Sequence, residues 1–255
     1  QAMSEKNRNL SERYAEMLAT YYLDEEFGEK LFLGSTIENI LSKEAILIYQ
    51  NVPDNNYYGA SIRYKDFSFI AINTHHNLRI RYYSAAHELW HFIWQNSEMS
   101  NEIELDHERA ADHFAAVLML PHNLIHDLWN RMADKYQEEE RIIYIADFSS
   151  MPYQAVTRRL KEVGLDIPGG LEYLEEPDWE KLREKINLGK SALDIPNKFI
   201  SFTHFEKLII ELVERKDISL DDAANLIAHF APGLAGGNNK KKRNLAKAIE
   251  EATDE

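Results

Sequence analysis

The segment His87-Glu88-Leu89-Trp90-His91 constrains this chain more than any other stretch of it. On a helix, positions i and i+4 share one face, so the two imidazoles can grip one metal ion while Glu88 projects beside it. That spacing serves metal-assisted hydrolysis, in which the metal activates a water and the carboxylate accepts its proton. Two conditions follow: the segment must be helical, and a third ligand must exist. Tyr83, Ala86, Leu89, Trp90, Ile93 and Trp94 recur at three- and four-residue intervals, and no Pro or Gly interrupts 82–96, which predicts the helix. Without a third ligand the histidines would be no more than a polar helix face.

A second helix is predicted from His107 to Leu120, too apolar for a surface element. Glu108 stands near its start, and Asp112 follows one turn later on the same face. Glu108 would complete a two-His-one-Glu set and leave the fourth position of a Zn2+ ion to water. Asp112 would accept a hydrogen bond from the far nitrogen of a liganding imidazole, fixing its tautomer and orientation. The plainer alternatives are an acidic residue favoured by the helix dipole for Glu108, and a salt bridge to Arg109 for Asp112. Both lose force because two carboxylates stand where such a site needs them.

Four stretches, taken together, resemble the ImmA/IrrE-type metallopeptidases. These are Phe69-Ile70-Ala71-Ile72-Asn73, then Tyr83–His91, then Glu108–Ala116 running on to Pro121, and Ala155–Leu160 with Gly164-Leu165. The resemblance spans roughly 35–165, and the middle two blocks are the specific ones. Trp90 stands where family members usually carry Gly, and Gln95 where a further His is frequent; neither is a ligand position. The resemblance implies an α+β, mostly helical, zincin-like fold with a small three-stranded sheet beside the zinc helix. It implies a site-specific endopeptidase acting on a helix-turn-helix repressor, releasing genes of mobile elements, phage or stress responses.

The three strands are expected at Ala45–Gln50, Tyr57–Tyr64 and Phe67–Asn73, the last two forming a hairpin through Lys65-Asp66. If Phe67–Asn73 is an edge strand, Ile72 and Asn73 would hold an extended substrate by backbone pairing. If it is an ordinary interior strand, no such edge exists. His75 and His76 are read as surface residues of the following loop, and the pair His122 and His126 has no glutamate at the catalytic position. Tyr64, Tyr82, His113 and His122 are candidates by type alone for a second group stabilising an oxyanion.

Around this core, residues 4–23 predict an amphipathic helix with Leu10, Tyr14, Met17, Leu18 and Tyr21 on one side. Ser35–Glu38 fits a capping box with Ser35 as N-cap. Residues 138–165 read helix, turn, helix. As a DNA-reading motif they would turn Arg158, Arg159 and Lys161 to phosphates; as a structural pair they would pack on the core. The expected division is a peptidase domain at 1–165, a connector at 166–197 and a small helical region at 198–255. The chain has no cysteine, which excludes thiolate zinc ligands and fits a reducing cytoplasm. Its net charge of −14 opposes nucleic-acid binding by the peptidase domain. No apolar run is long enough to cross a membrane, and the polar segment Gln1–Arg13 is no signal peptide. Two rival readings remain: a zinc-stabilised regulatory binding module with little turnover, and a DNA-binding regulator.

Overall fold

A computed structural model describes residues 5–24, 33–64, 67–97 and 104–230. The hairpin turn Lys65-Asp66, most of the acidic loop after Asn96 and the basic run Lys240–Arg243 lie outside them. The fold is α+β. Helix α1 (Glu5–Tyr22) and the short α2 (Ile37–Glu44) precede strands β1 (Ile46–Gln50), β2 (Gly59–Tyr64) and β3 (Phe67–Asn73). Helices α3 (Leu78–Gln95), α4 (His107–Met119), α5 (His122–Arg131), α6 (Glu138–Ser149), α7 (Tyr153–Glu162) and α8 (Glu176–Lys185) follow. The chain then forms β4 (Ser201–Phe202), α9 (Thr203–Glu214) and α10 (Leu220–Phe230).

The sheet has four strands in the order β2-β3-β1-β4, one more than expected, because two residues some 150 positions downstream return to pair antiparallel with β1. Strand β3 therefore lies inside the sheet, antiparallel to β2 and parallel to β1. The edge-strand expectation for Phe67–Asn73 fails. Ile72 is fully buried, and the Asn73 amide is spent bridging the Val52 and Tyr57 backbone. The near-continuous apolar run Phe69–Ile72 is what an interior strand requires. The free edge belongs to β2, which pairs among the described residues with β3 alone.

One face of the sheet packs on α3 through Leu47, Tyr49, Ile70 and Ile72, and α3 packs in turn on α4. Trp90, fully buried, stacks on Trp94 and tilts against Phe114. The bulky ring is thus part of the core between α3 and α4. Helix α1 lies along α4, and its most buried stripe is Ser11, Ala15 and Ala19; of the larger residues expected, Tyr14 and Leu18 pack partly buried against the core, while Leu10, Met17 and Tyr21 are exposed. Small side chains let the two helices approach closely, and that proximity outweighs the size of the apolar residues on the next stripe. Ser35 is no N-cap either. It sits in a tight turn, and Glu38 is held by a two-pronged ion pair with Arg81 instead of reaching back to a backbone N–H.

The supposed connector is built into the core. Trp179 of α8 is fully buried and stacks on Tyr153. Arg79, in the first turn of α3 and fully buried, is bound by Asp194 at 2.5 Å, by Asp147 and by the Ala146 carbonyl at 2.7 Å. The segment thus fixes the start of the helix that carries the histidines. Helices α9 and α10 enclose a small second cluster around Ile209 and Ala223.

A charged cluster clamps α1 to α4 and α7. His113 faces Glu16 at 2.8 Å and Glu162 at 3.2 Å, while Arg159 lies 3.4 Å from Glu16. Burial alone would raise the Glu16 pKa, but the His113 hydrogen bond and the Arg159 charge outweigh it and hold the carboxyl at about 2. Burial alone would lower the His113 pKa, but its two carboxylate partners raise it. Glu16 therefore stabilises the fold above its ordinary value of 4.5, an effect lost as pH falls toward about 2. His113 stabilises below its ordinary value, an effect lost as pH rises through its raised one. The melting-temperature gap between wild type and Glu16→Gln should be widest near pH ~5–6 and close by pH ~2. A gap independent of pH would show that the cluster contributes no charge-linked stability.

Candidate metal centre

Asn77 caps α3, its side chain accepting from the Ile80 N–H at 3.0 Å, and sets the helix phase that places His87 and His91 one turn apart. Asp106 caps α4 in the same way, accepting from the Arg109 N–H at 3.1 Å, and so places Glu108 in the first turn. The two helices bring the expected ligands together. His87 Nε2 and His91 Nε2 are 3.2 Å apart, and the Glu108 oxygens lie 3.4 and 3.5 Å from them. Among the described residues this is the one group of three or more His, Asp or Glu side chains whose potential ligand atoms converge. The Glu108 side chain is 80% exposed, so no burial or cap holds it against the imidazoles. The residues fit a divalent ion: two ring nitrogens and one carboxylate face a common point with a side open to solvent.

Asp112 takes the expected place. Its Oδ1 accepts from His87 Nδ1 at 3.0 Å, leaving Nε2 to face the cluster. The second oxygen accepts from Arg158 at 3.2 Å, and the Tyr83 hydroxyl donates to the Asp112 carbonyl at 2.7 Å. Burial would raise the Asp112 pKa, but His87 and then Arg158 hold it low. Burial would lower that of His87, but the hydrogen bond and charge of Asp112 raise it. Burial and then the neighbouring His87 charge push His91 down to about 4, so its ring is neutral at pH 7. Replacing Asp112 with Asn should weaken metal affinity about 10–100-fold while leaving the fold intact. Competition against a fluorescent zinc chelator measures this, and unchanged affinity would show that Arg158 or the helix alone orients the ring.

Glu88 is buried and points to the sheet, close to Ser61. Burial raises its pKa, against the charge of His87 and the nearby Ser61 hydroxyl. The neighbour that sequence reasoning missed is Gly59. A Cβ there would stand 3.2 Å from the Glu88 Cγ and Oε1 and 2.8 Å from the Ala71 carbonyl oxygen. Only glycine lets the β2 backbone pass this close to the carboxylate. The available signal was an isolated Gly at the head of a strand, which marks a close backbone approach. Gly59→Ala should cost about 1–3 kcal/mol of stability and displace Glu88, lowering turnover while metal content stays near wild type. Unaltered turnover would mean that the strand yields without moving the carboxylate.

Beside Glu88 and His87 opens a cleft of about 570 Å³, walled by Tyr57, Tyr58, Ile80, Tyr83, Pro152 and Ala155. On the other side of the His87, His91 and Glu108 side chains a second hollow is lined by Ser61, Ile62, Arg63, His91, Trp94, Gln95 and His107. Both follow the free edge of β2. Of the groups considered for oxyanion stabilisation, Tyr64, Tyr82, His113 and His122 all lie outside the cleft lining. His76 binds the Tyr57 carbonyl and stacks on Tyr58, His75 contacts Asn51, and His126 contacts the Val163 carbonyl. The cations that a DNA-reading α7 would need are engaged: Arg158 by Asp112, Arg159 by Glu16, Lys161 by Glu172.

An HExxH helix beside a small sheet, with a glutamate supplied by the next helix, is the arrangement of a metallopeptidase-type domain. Residues 46–161 match the family model of the IrrE N-terminal-like domain, Peptidase_M78, which supports the likeness to the ImmA/IrrE-type family. No curated protein and no solved structure matches the chain.

Proposed function

We propose that the protein is a zinc-dependent, site-specific endopeptidase of the cytoplasm. The observation that carries this reading is the convergence of His87, His91 and Glu108, with the Glu88 carboxylate lining the same cleft beside Gly59. Zinc bound to nitrogen at about 2.0–2.1 Å in a tetrahedral set has ligand atoms about 3.3 Å apart, close to the 3.2, 3.4 and 3.5 Å found here. Bound zinc would supply Lewis acidity to the scissile carbonyl and acidify the attacking water. Glu88 takes a proton from that water as its oxygen bonds to the carbonyl carbon. It then gives the proton to the amide nitrogen as the C–N bond breaks.

The substrate is an extended segment of a protein, paired with the free edge of β2, so that its backbone runs from one hollow to the other across the metal ligands. The expected protein substrate is a helix-turn-helix transcriptional repressor, and its loss would derepress mobile-element, phage or stress genes. That identity is supported by the resemblance to the ImmA/IrrE-type metallopeptidases. The test is to incubate zinc-loaded protein with the repressor encoded nearest its gene and map fragments by mass spectrometry. One dominant cleavage, abolished by chelation and restored by zinc, supports the reading; an intact repressor beside cleavage of another protein overturns its identity.

A further inference from the structure

Strand β2 shows different chemistry on its two sides. Gly59 and Ser61 turn toward Glu88, and Arg63 on the same side reaches the Gln95 carbonyl on α3. By the alternation of a strand, Ile62 and Tyr64 turn to the opposite face, while Ile62 at the strand's edge also borders the second hollow. There Ile62 stands across from Phe69, and Tyr64 across from Phe67, whose ring lies 6.5 Å from that of Phe69. Ile62, Tyr64 and Phe67 are 61%, 62% and 56% exposed. Scattered exposed apolar residues need no explanation, but a contiguous four-residue patch on a free-edged strand invites association unless it has a use.

We propose that this outer face of the hairpin selects the substrate: it docks extended segments that carry apolar side chains at alternate positions. This rests on the peptidase reading with β2 as the pairing strand. A peptide added to that edge has residues opposite Ser61 and Arg63 directed toward the metal side. Its residues opposite Ile62 and Tyr64 are directed to the outer face, where cross-strand neighbours meet. Two observations favour a substrate strand over a second copy of this chain. The patch is continuous with an edge that both hollows of the metal centre follow, and two copies would each bring a net charge of −14 to the contact. The selected class is therefore a β-prone segment of alternating pattern, accessible only where the target protein is locally unfolded.

The test uses zinc-loaded Glu88→Gln protein and two labelled ten-residue peptides of identical composition. One alternates Val with Ser; the other places the valines in one block. Fluorescence anisotropy should show about tenfold tighter binding of the alternating peptide, with amide-exchange protection along 60–64. Ile62→Asp and Tyr64→Ser, both at exposed positions, should each reduce that preference to within about twofold. Equal binding of the two peptides, absence of binding, or a preference untouched by both variants would overturn the proposal. So would an Ile62-dependent dimer of the protein alone in sedimentation. Incubation of the wild type with the alternating peptide reads the peptidase function separately. Binding without cleavage would count against that function and leave the docking surface standing.

Discussion

Glu88→Gln should lower kcat by about 10²–10⁴-fold while the protein keeps its full complement of zinc. The substitution conserves shape, so glutamine fits beside Gly59. It removes one capacity, that of accepting a proton from the attacking water. Glu88 lies outside the convergent ligand set, so metal content is the control that separates a chemical defect from a broken site. Single-turnover cleavage measured beside zinc analysis distinguishes the cases. A variant with full zinc and near-normal turnover would move the proton-accepting role to another group. A variant without zinc would make Glu88 part of the metal site.

The second large effect is on metal retention. His91→Ala deletes a neutral ring whose nitrogen faces His87 and Glu108. Losing a ligand outright costs more than the ~10–100-fold assigned to the loss of an orienting partner. At zinc concentrations near a hundred times the wild-type dissociation constant, binding contributes about 2.7 kcal/mol to folding. For a chain of this size that corresponds to a zinc-induced rise in Tm of about 5–10 °C. The variant should show almost none of that rise and should retain little zinc after desalting. An undiminished shift would place the ion elsewhere.

The convergence of the candidate ligands was legible because helical periodicity is local. His87, His91, Glu108 and Asp112 lie at i, i+4 spacings inside two strongly patterned segments, and such spacing survives folding unchanged. What escaped depended on contacts between distant segments. The order of the strands is set partly by Ser201-Phe202 pairing with β1, which no pattern within 45–73 announces. The inward stripe of α1 follows from how closely α4 approaches it, so Ala15 and Ala19 outrank Met17 and Tyr21. Arg79 is core because Asp147 and Asp194 arrive from far along the chain. Gly59 owes its role to the same kind of proximity: its meaning lies in a carboxylate 29 positions away.

Crystals grown with zinc and measured at the zinc absorption edge would locate the ion. One anomalous peak is expected, bonded to His87 Nε2, His91 Nε2 and the Glu108 carboxylate at about 2.0–2.2 Å, with the remaining side facing the cleft. A peak held by other side chains, or zinc-loaded crystals in which these three groups stand apart from the metal, would contradict this expectation.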